Sequence, residues 1–162
     1  RLKSKGRLFI IGVGGSAANA SHAVNDFRKI CNIESYCPSD NVSELTARTN
    51  DDGFEHVFKS WLQVSKMNKK DLLLIFSVGG GNLKKKVSVN IINALRYANQ
   101  KNTKSISFIG RKDGYAYKNS DINILINVPN KKLATPVTET FQTLLWHFFV
   151  SHPKLQVNKT KW

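Results

Sequence analysis

Three clusters of residues in this sequence have the types and spacing that chemistry needs. The first is Gly12-Val13-Gly14-Gly15-Ser16-Ala17, set between the apolar run Leu8-Phe9-Ile10-Ile11 and a stretch, Ala17 to Ile30, with apolar or small residues at helical spacing. A strand, a glycine turn and a helix in that order aim backbone N–H groups and a helix N-terminus at one spot, which favours an anion. Gly14, Gly15 and Ser16 are the expected cradle, with Ser16 placed to cap the helix and to offer its hydroxyl. The second cluster is His22 and Asp26, four residues apart and so on one helix face just beyond the cradle. The third is Glu139, Gln142, Trp146 and His147 on one broad face of the last helix. Each has a plainer alternative: a tight turn that needs glycine, a surface ion pair of little worth, and a histidine satisfied among aromatics.

The glycine turn is not a clean dinucleotide motif. Ala17 stands at its third glycine position, and no acidic residue ends a strand about 20 residues on. The spacing therefore points to a phosphate cradle without a nucleotide. The device repeats downstream, where Leu72-Leu73-Leu74-Ile75-Phe76 runs into Ser77-Val78-Gly79-Gly80-Gly81-Asn82. Two such turns in one parallel sheet open on the same carboxyl edge, where open α/β sheets bind ligands. Lys84-Lys85-Lys86 follows, and Ser88 is placed to cap the next helix. Those lysines read either as a solvated face or as phosphate contacts.

The elements that position these clusters alternate along the chain. Strands are expected at Leu8–Ile11, Ile33–Cys37, Leu72–Phe76, Ser105–Ile109 and Asp121–Val128. Helices are expected from Ser16 to about Lys29, over Ser43–Thr49 and Phe54–Val64, from Ser88 through Ala98, and over Val137–Val150. Asn50-Asp51-Asp52-Gly53 reads as a turn, and Pro129 to Pro136 as a loop. Alternation of this kind gives an α/β fold with a parallel sheet covered on both faces. One domain is expected over 1–153, followed by a polar basic tail, 154–162, that frays.

Composition narrows the function classes. The 162 residues carry a net charge of +14, and 41% are hydrophobic. No run of 18 apolar residues is present, so no membrane-spanning helix is expected. No leader is read at the N-terminus, where the chain opens at Arg1 rather than methionine. Lysines are scattered (Lys3, Lys5, Lys84 to Lys86, Lys131, Lys132, Lys154, Lys159, Lys161), with no basic stripe interleaved with aromatics. Anionic small substrates fit that pattern better than nucleic acid. Cys31 and Cys37 have no pairing pattern and read as free thiols in a reducing compartment.

Taken together, Gly14-Gly15-Ser16 with His22 and Asp26, Thr49-Asn50-Asp51-Asp52-Gly53-Phe54, the turn at Ser77, and Glu139 with His147 resemble the sugar isomerase (SIS) domain over nearly the whole chain. Within it they resemble the sedoheptulose-7-phosphate isomerases, or phosphoheptose isomerases. The resemblance implies a flavodoxin-like three-layer sandwich with a five-stranded parallel sheet. It implies a cytoplasmic homotetramer with sites between subunits that makes D-glycero-D-manno-heptose 7-phosphate for lipopolysaccharide heptose. Members usually carry an N-terminal helical segment, whereas this sequence opens almost at its first strand. The matching positions make His22, Asp26, Glu139 and His147 candidate zinc ligands, and Asp26 and His147 the catalytic base and acid. Asn50, Asp51, Ser77, Val78, Gly79, Ser88 and Glu139, with the first glycine turn, would hold the sugar phosphate.

Four positions depart from the family pattern. Asp26 replaces a glutamate, Glu139 replaces a glutamine, Val13 replaces an asparagine, and Gly79 replaces the middle serine of a serine-rich loop. An insertion carrying Lys84 to Lys86 separates Ser88 from that loop. Lysines there would compensate for lost serines, since ammonium groups bind phosphate as point charges. Two other readings share the fold: a non-catalytic SIS protein that binds a replication initiator, and a sugar-phosphate-binding SIS protein with a different ligand.

Overall fold

The chain is described by a computed structural model over residues 6–160; Lys3, Lys5 and Lys161 lie outside the described residues. Five strands, β1 (Leu8–Ile11), β2 (Ser35–Tyr36), β3 (Leu72–Ser77), β4 (Lys104–Ile109) and β5 (Ile122–Leu125), form one sheet in the order β2-β1-β3-β4-β5. Every strand pair is parallel. Helices α1 (Gly15–Cys31), α2 (Val42–Asp52), α3 (Val57–Val64), α4 (Val89–Gln100), α5 (Tyr115–Asn119) and α6 (Ala134–Val150) connect or follow the strands.

Strand alternation sorts the core into two layers. Leu8 and Ile10 of β1 face one cluster with Leu74, Phe76 and the helices α1 and α6. Phe9 and Ile11 face the other, with Leu73, Ile75 and the helices α3 and α4. The strands are buried on both sides, which is why they read as continuous apolar runs. Gly12 ends β1 for a steric reason: a Cβ there would stand 2.3 Å from the Ser16 carbonyl oxygen, so any side chain would push α1 off the sheet.

Several boundaries differ from the sequence reading. The helix expected at Ser43–Thr49 continues to Asp52 and stops at Gly53, whose φ of 87° few other residues adopt. Arg48 steadies that last turn, 2.8 Å from Glu44 and 4.0 Å from Asp52. The helix expected from Phe54 starts at Val57. The expected loop 129–136 already contains the start of α6, and Pro136 sits in its first turn, where a missing N–H costs nothing. Helix α5 went unread because it spans five residues without a periodic pattern. The tail does not fray over its described part. The N–H groups of Val157 and Asn158 donate to the Ile30 carbonyl at 3.0 and 2.9 Å, and Asn158 Nδ2 donates to the Lys29 carbonyl at 2.7 Å. It thereby satisfies carbonyls at the end of α1 that a helix leaves open. Cys31 and Cys37 are free and buried, and burial pushes both thiols up to about 11.

Arg7 ties the start of β1 to the start of β3. Its Nε and Nη2 donate to Asp71 Oδ1 and Oδ2 at 3.1 and 2.8 Å, and its backbone N–H adds a third bond. Burial alone would raise the Asp71 carboxyl, but the Arg7 guanidinium and the N–H groups of Arg7 and Asn68 hold it below the usual carboxylate range. A depressed carboxylate stabilises the fold above the unfolded value of about 3.9 and loses that effect as pH falls through the folded value. Asp71→Ala is expected to lose about 3 kcal/mol at pH 7 in denaturant titrations, with the gap to wild type closing below pH about 4.

Candidate active site

The site is built where α1 and α6 lie side by side on one face of the sheet. Beside their apolar packing runs a polar seam, in which Ser16 and Gln142 are buried and Asn19 and Thr143 half-buried. Ser16 Oγ donates to Gln142 Oε1 at 2.9 Å, and Asn19 Nδ2 donates to the Glu139 carbonyl at 2.9 Å and to Gln142 Oε1 at 3.3 Å. Thr143 Oγ1 donates to Asn19 Oδ1 at 2.8 Å. This seam fixes the two helices in register, and one turn further along it three ionisable groups meet.

Asp26 is 3% exposed, and its Oδ1 accepts from Asn25 Nδ2 at 2.8 Å. Its Oδ2 lies 3.9 Å from His22 Nε2 and 3.8 Å from His147 Nε2. All three ligand atoms fall within 4.8 Å of one another. These gaps are too long for hydrogen bonds and near the roughly 3.3 Å that separates ligand atoms on tetrahedral zinc. His147 Nδ1 stands 2.8 Å from the Thr143 carbonyl oxygen, which can only accept, so Nδ1 carries a proton and a neutral ring keeps its Nε2 lone pair for the Asp26 side. Metal-binding histidines are oriented in this way. Trp146 holds both rings: it stacks on His147 at 3.5 Å between centroids and meets the edge of His22 at 4.7 Å. Two imidazoles and a carboxylate thus fit a divalent ion such as zinc.

Glu139, expected as a fourth ligand, lies outside this group of three. Its carboxylate packs against Gly15, where a Cβ would stand 2.3 Å from Oε2. The first turn of α1, expected to cradle a phosphate, therefore faces the protein's own carboxylate. Ser16 does not cap α1 either. The cap position belongs to Gly14, and the Ser16 hydroxyl is buried against Gln142.

The second glycine turn faces the same edge of the sheet, as the parallel pairing of β1 with β3 requires. Ser77 Oγ accepts from the Gly80 N–H at 2.9 Å and so holds the turn itself. Val78 is half-buried, and Gly79 lines a small cavity of about 100 Å³. Ser88 takes the cap position of α4 with φ 49°, but its side chain makes no capping bond. A larger cavity of about 620 Å³ lies beside it, lined by Val13, Phe54, Lys86, Ser88 and Asn90 among others. Asn50 and Asp51 sit exposed on the last turn of α2, with Asn50 Nδ2 bonded to Asp51 Oδ1 at 2.8 Å.

Asn19, Asn25, Thr143 and Asn90 were missed. The available signal was small polar side chains at helical spacing with core residues, Ser16 and Asn19 on α1 and Gln142 and Thr143 on α6. Gln142 Nε2 has no hydrogen-bond partner among the described residues, so its only bonds run through Oε1 to α1. Ser16→Ala removes one of them and is expected to cost about 1–2 kcal/mol of stability, read by chemical denaturation.

No family model matches the chain. It is 31% identical over 155 residues to phosphoheptose isomerase of Syntrophotalea carbinolica, covering 91% of this chain and 72% of that one. It is 31% identical over 146 residues to lincomycin biosynthesis protein LmbN of Streptomyces lincolnensis, covering 84% of this chain but only 51% of that protein, about half its length. The structure of phosphoheptose isomerase GmhA from Neisseria gonorrhoeae superposes with a TM-score of 0.77 at 28% identity, covering 92% of this chain and 77% of that one. With the same parallel sheet and this degree of identity over most of its length, the chain belongs to the phosphoheptose isomerase family of SIS-fold sugar-phosphate isomerases.

Proposed function

We propose that this protein is an aldose–ketose isomerase that converts sedoheptulose 7-phosphate to D-glycero-D-manno-heptose 7-phosphate. The observation that carries the reading is the meeting of His22, Asp26 and His147 around one point. The reaction moves a proton between neighbouring carbons through an enediol. Asp26 takes the proton from C1 of the ketose while His147, as imidazolium, gives one to the oxygen on C2. Asp26 then returns a proton to C2 while His147 removes one from the oxygen on C1, which leaves the aldehyde and restores both groups.

His22, Asp26 and His147 would alternatively hold zinc, His147 then giving its Nε2 lone pair to the ion in place of a proton to the sugar, and Glu139 joins them only if its side chain leaves Gly15. Bound there, the ion supplies Lewis-acid stabilisation of the negative charge that develops on the sugar oxygens. Gly14, Gly15, Asn50, Asp51, Ser77, Val78, Gly79 and Ser88 belong to this proposal as contacts of the bound sugar phosphate, with Glu139 accepting from sugar hydroxyls; Ser16, buried and bonded to Gln142, falls outside that set. A homotetramer with sites between subunits is part of the same reading. Its support is an apolar stripe on the outer face of α6, where Phe141, Leu144 and Phe148 are 45%, 42% and 61% exposed. Among the described residues no helix is long and apolar enough to cross a membrane, and the reading places the enzyme in the cytoplasm, supplying heptose for lipopolysaccharide.

Formation of heptose 7-phosphate by the purified protein, with and without added zinc, tests the reading. Asp26→Asn is expected to lower turnover about a hundredfold or more. His22→Ala and His147→Ala are each expected to lose bound zinc, measured as metal content per chain. Wild-type protein that binds sedoheptulose 7-phosphate but leaves it unchanged would overturn the isomerase reading in favour of a sugar-phosphate-binding protein.

A further inference from the structure

We propose that Lys86, on the turn between Asn82 and Val87, is the cation that grips the ligand's phosphate, in the cavity at the N-terminus of α4. The inference rests on the reading of this chain as a sugar-phosphate protein and assigns the residue that selects the phosphate. The turn is held by backbone pairing: Asn82 N–H donates to the Val87 carbonyl at 2.8 Å, and Val87 N–H donates back at 3.0 Å. Lys86 and Ser88, on either side of Val87, both take left-handed backbone angles, φ 53° and 49°. Non-glycine residues hold that conformation only where the surroundings demand it. Both line the cavity of about 620 Å³.

The groups around this cavity are rich in donors that the fold leaves unused. The first turn of α4 contains no acidic residue, and the Ser88 hydroxyl makes no capping bond. Asn90 is 1% exposed, and its Oδ1 accepts from the Ile91 N–H at 2.8 Å. Its Nδ2 has no hydrogen-bond partner among the described residues. A buried amide nitrogen left so is destabilising, and an acceptor in the cavity would relieve it. The acidic residue on the lining, Glu55, turns its carboxylate back toward Gly53, to within 2.9 Å of where a Cβ would stand. A helix N-terminus, a free hydroxyl, a buried unpaired amide and one ammonium together suit a phosphate monoester. At the α1 turn, by contrast, the Glu139 carboxylate repels the same group.

The three lysines of this turn separate cleanly. Lys86 lines the larger cavity, Lys85 lines the smaller one with Arg111, and Lys84 lines neither. Lys84→Ala is therefore an internal control for loss of surface charge. Asparagine tolerates left-handed angles, so Lys86→Asn removes the charge without straining the turn, and Lys86→Arg keeps it. The test is inorganic phosphate binding to the full chain by calorimetry, which needs no turnover, paired with KM and kcat for sedoheptulose 7-phosphate.

Lys86→Asn is expected to weaken phosphate about tenfold and to raise KM by a similar factor with kcat changed less. Lys86→Arg should stay within about threefold of wild type, and Lys84→Ala should be unchanged. Wild type that fails to bind phosphate, Lys86→Asn that binds it as wild type does, or Lys84→Ala that loses as much as Lys86→Asn would each overturn the inference. A Lys86-dependent phosphate site in a protein without isomerase activity would instead remove the proposed reaction and leave this site standing.

Discussion

The structure depends on the way α1 and α6 are locked together by polar side chains, Ser16 and Gln142 buried and Asn19 and Thr143 half-buried, rather than by apolar packing alone. Ser16, Asn19, Gln142 and Thr143 bond across the helix interface within 2.8–3.3 Å. Such bonds are directional, so they fix both sliding and rotation, whereas apolar contact tolerates small slips. Asp26 and His147 come from residues more than a hundred positions apart, and their 3.8 Å approach is a consequence of that register. Trp146 completes the arrangement by stacking on His147 and meeting the His22 ring at a steep angle.

The seam also explains how the two ends of the sheet edge divide their roles. Phosphate and carboxylate compete for the same kind of place, a helix N-terminus with open N–H groups. At α1 that place faces Glu139, anchored on a helix that the seam already fixes. At α4 it stays open, beside a buried amide nitrogen without a partner among the described residues and a lysine on the turn that precedes the helix. Positive charge concentrated on one short turn, rather than the net charge of +14 spread over the surface, is what would make the ligand site electropositive.

Much of this was legible in the sequence, for identifiable reasons. Strands β1 and β3 are buried on both faces, so Leu8–Ile11 and Leu72–Phe76 read as unbroken apolar runs. His22 and Asp26 share a helix face by spacing alone, and the pairing of His147 with them came from the family resemblance. What stayed hidden depends on contacts between distant residues. Asn19 and Thr143 look like solvent-facing polar positions until the two helices are placed together. Glu139 could not be separated from the metal group by spacing, because it lies two turns from His147 on the same face yet points toward Gly15. The tail from Val157 to Asn158 looked disordered by composition, but it supplies N–H donors that the end of α1 lacks.

The central claim is that a buried carboxylate carries a proton between adjacent sugar carbons. Turnover of sedoheptulose 7-phosphate in heavy water, followed by NMR at C2 of the heptose product, tests it most directly. The account predicts deuterium at C2 in at least part of the product, because the proton held by Asp26 exchanges with solvent before it is returned. Complete retention of the original hydrogen at C2 together with undiminished turnover by Asp26→Asn would mean that no carboxylate carries it, and would contradict the account.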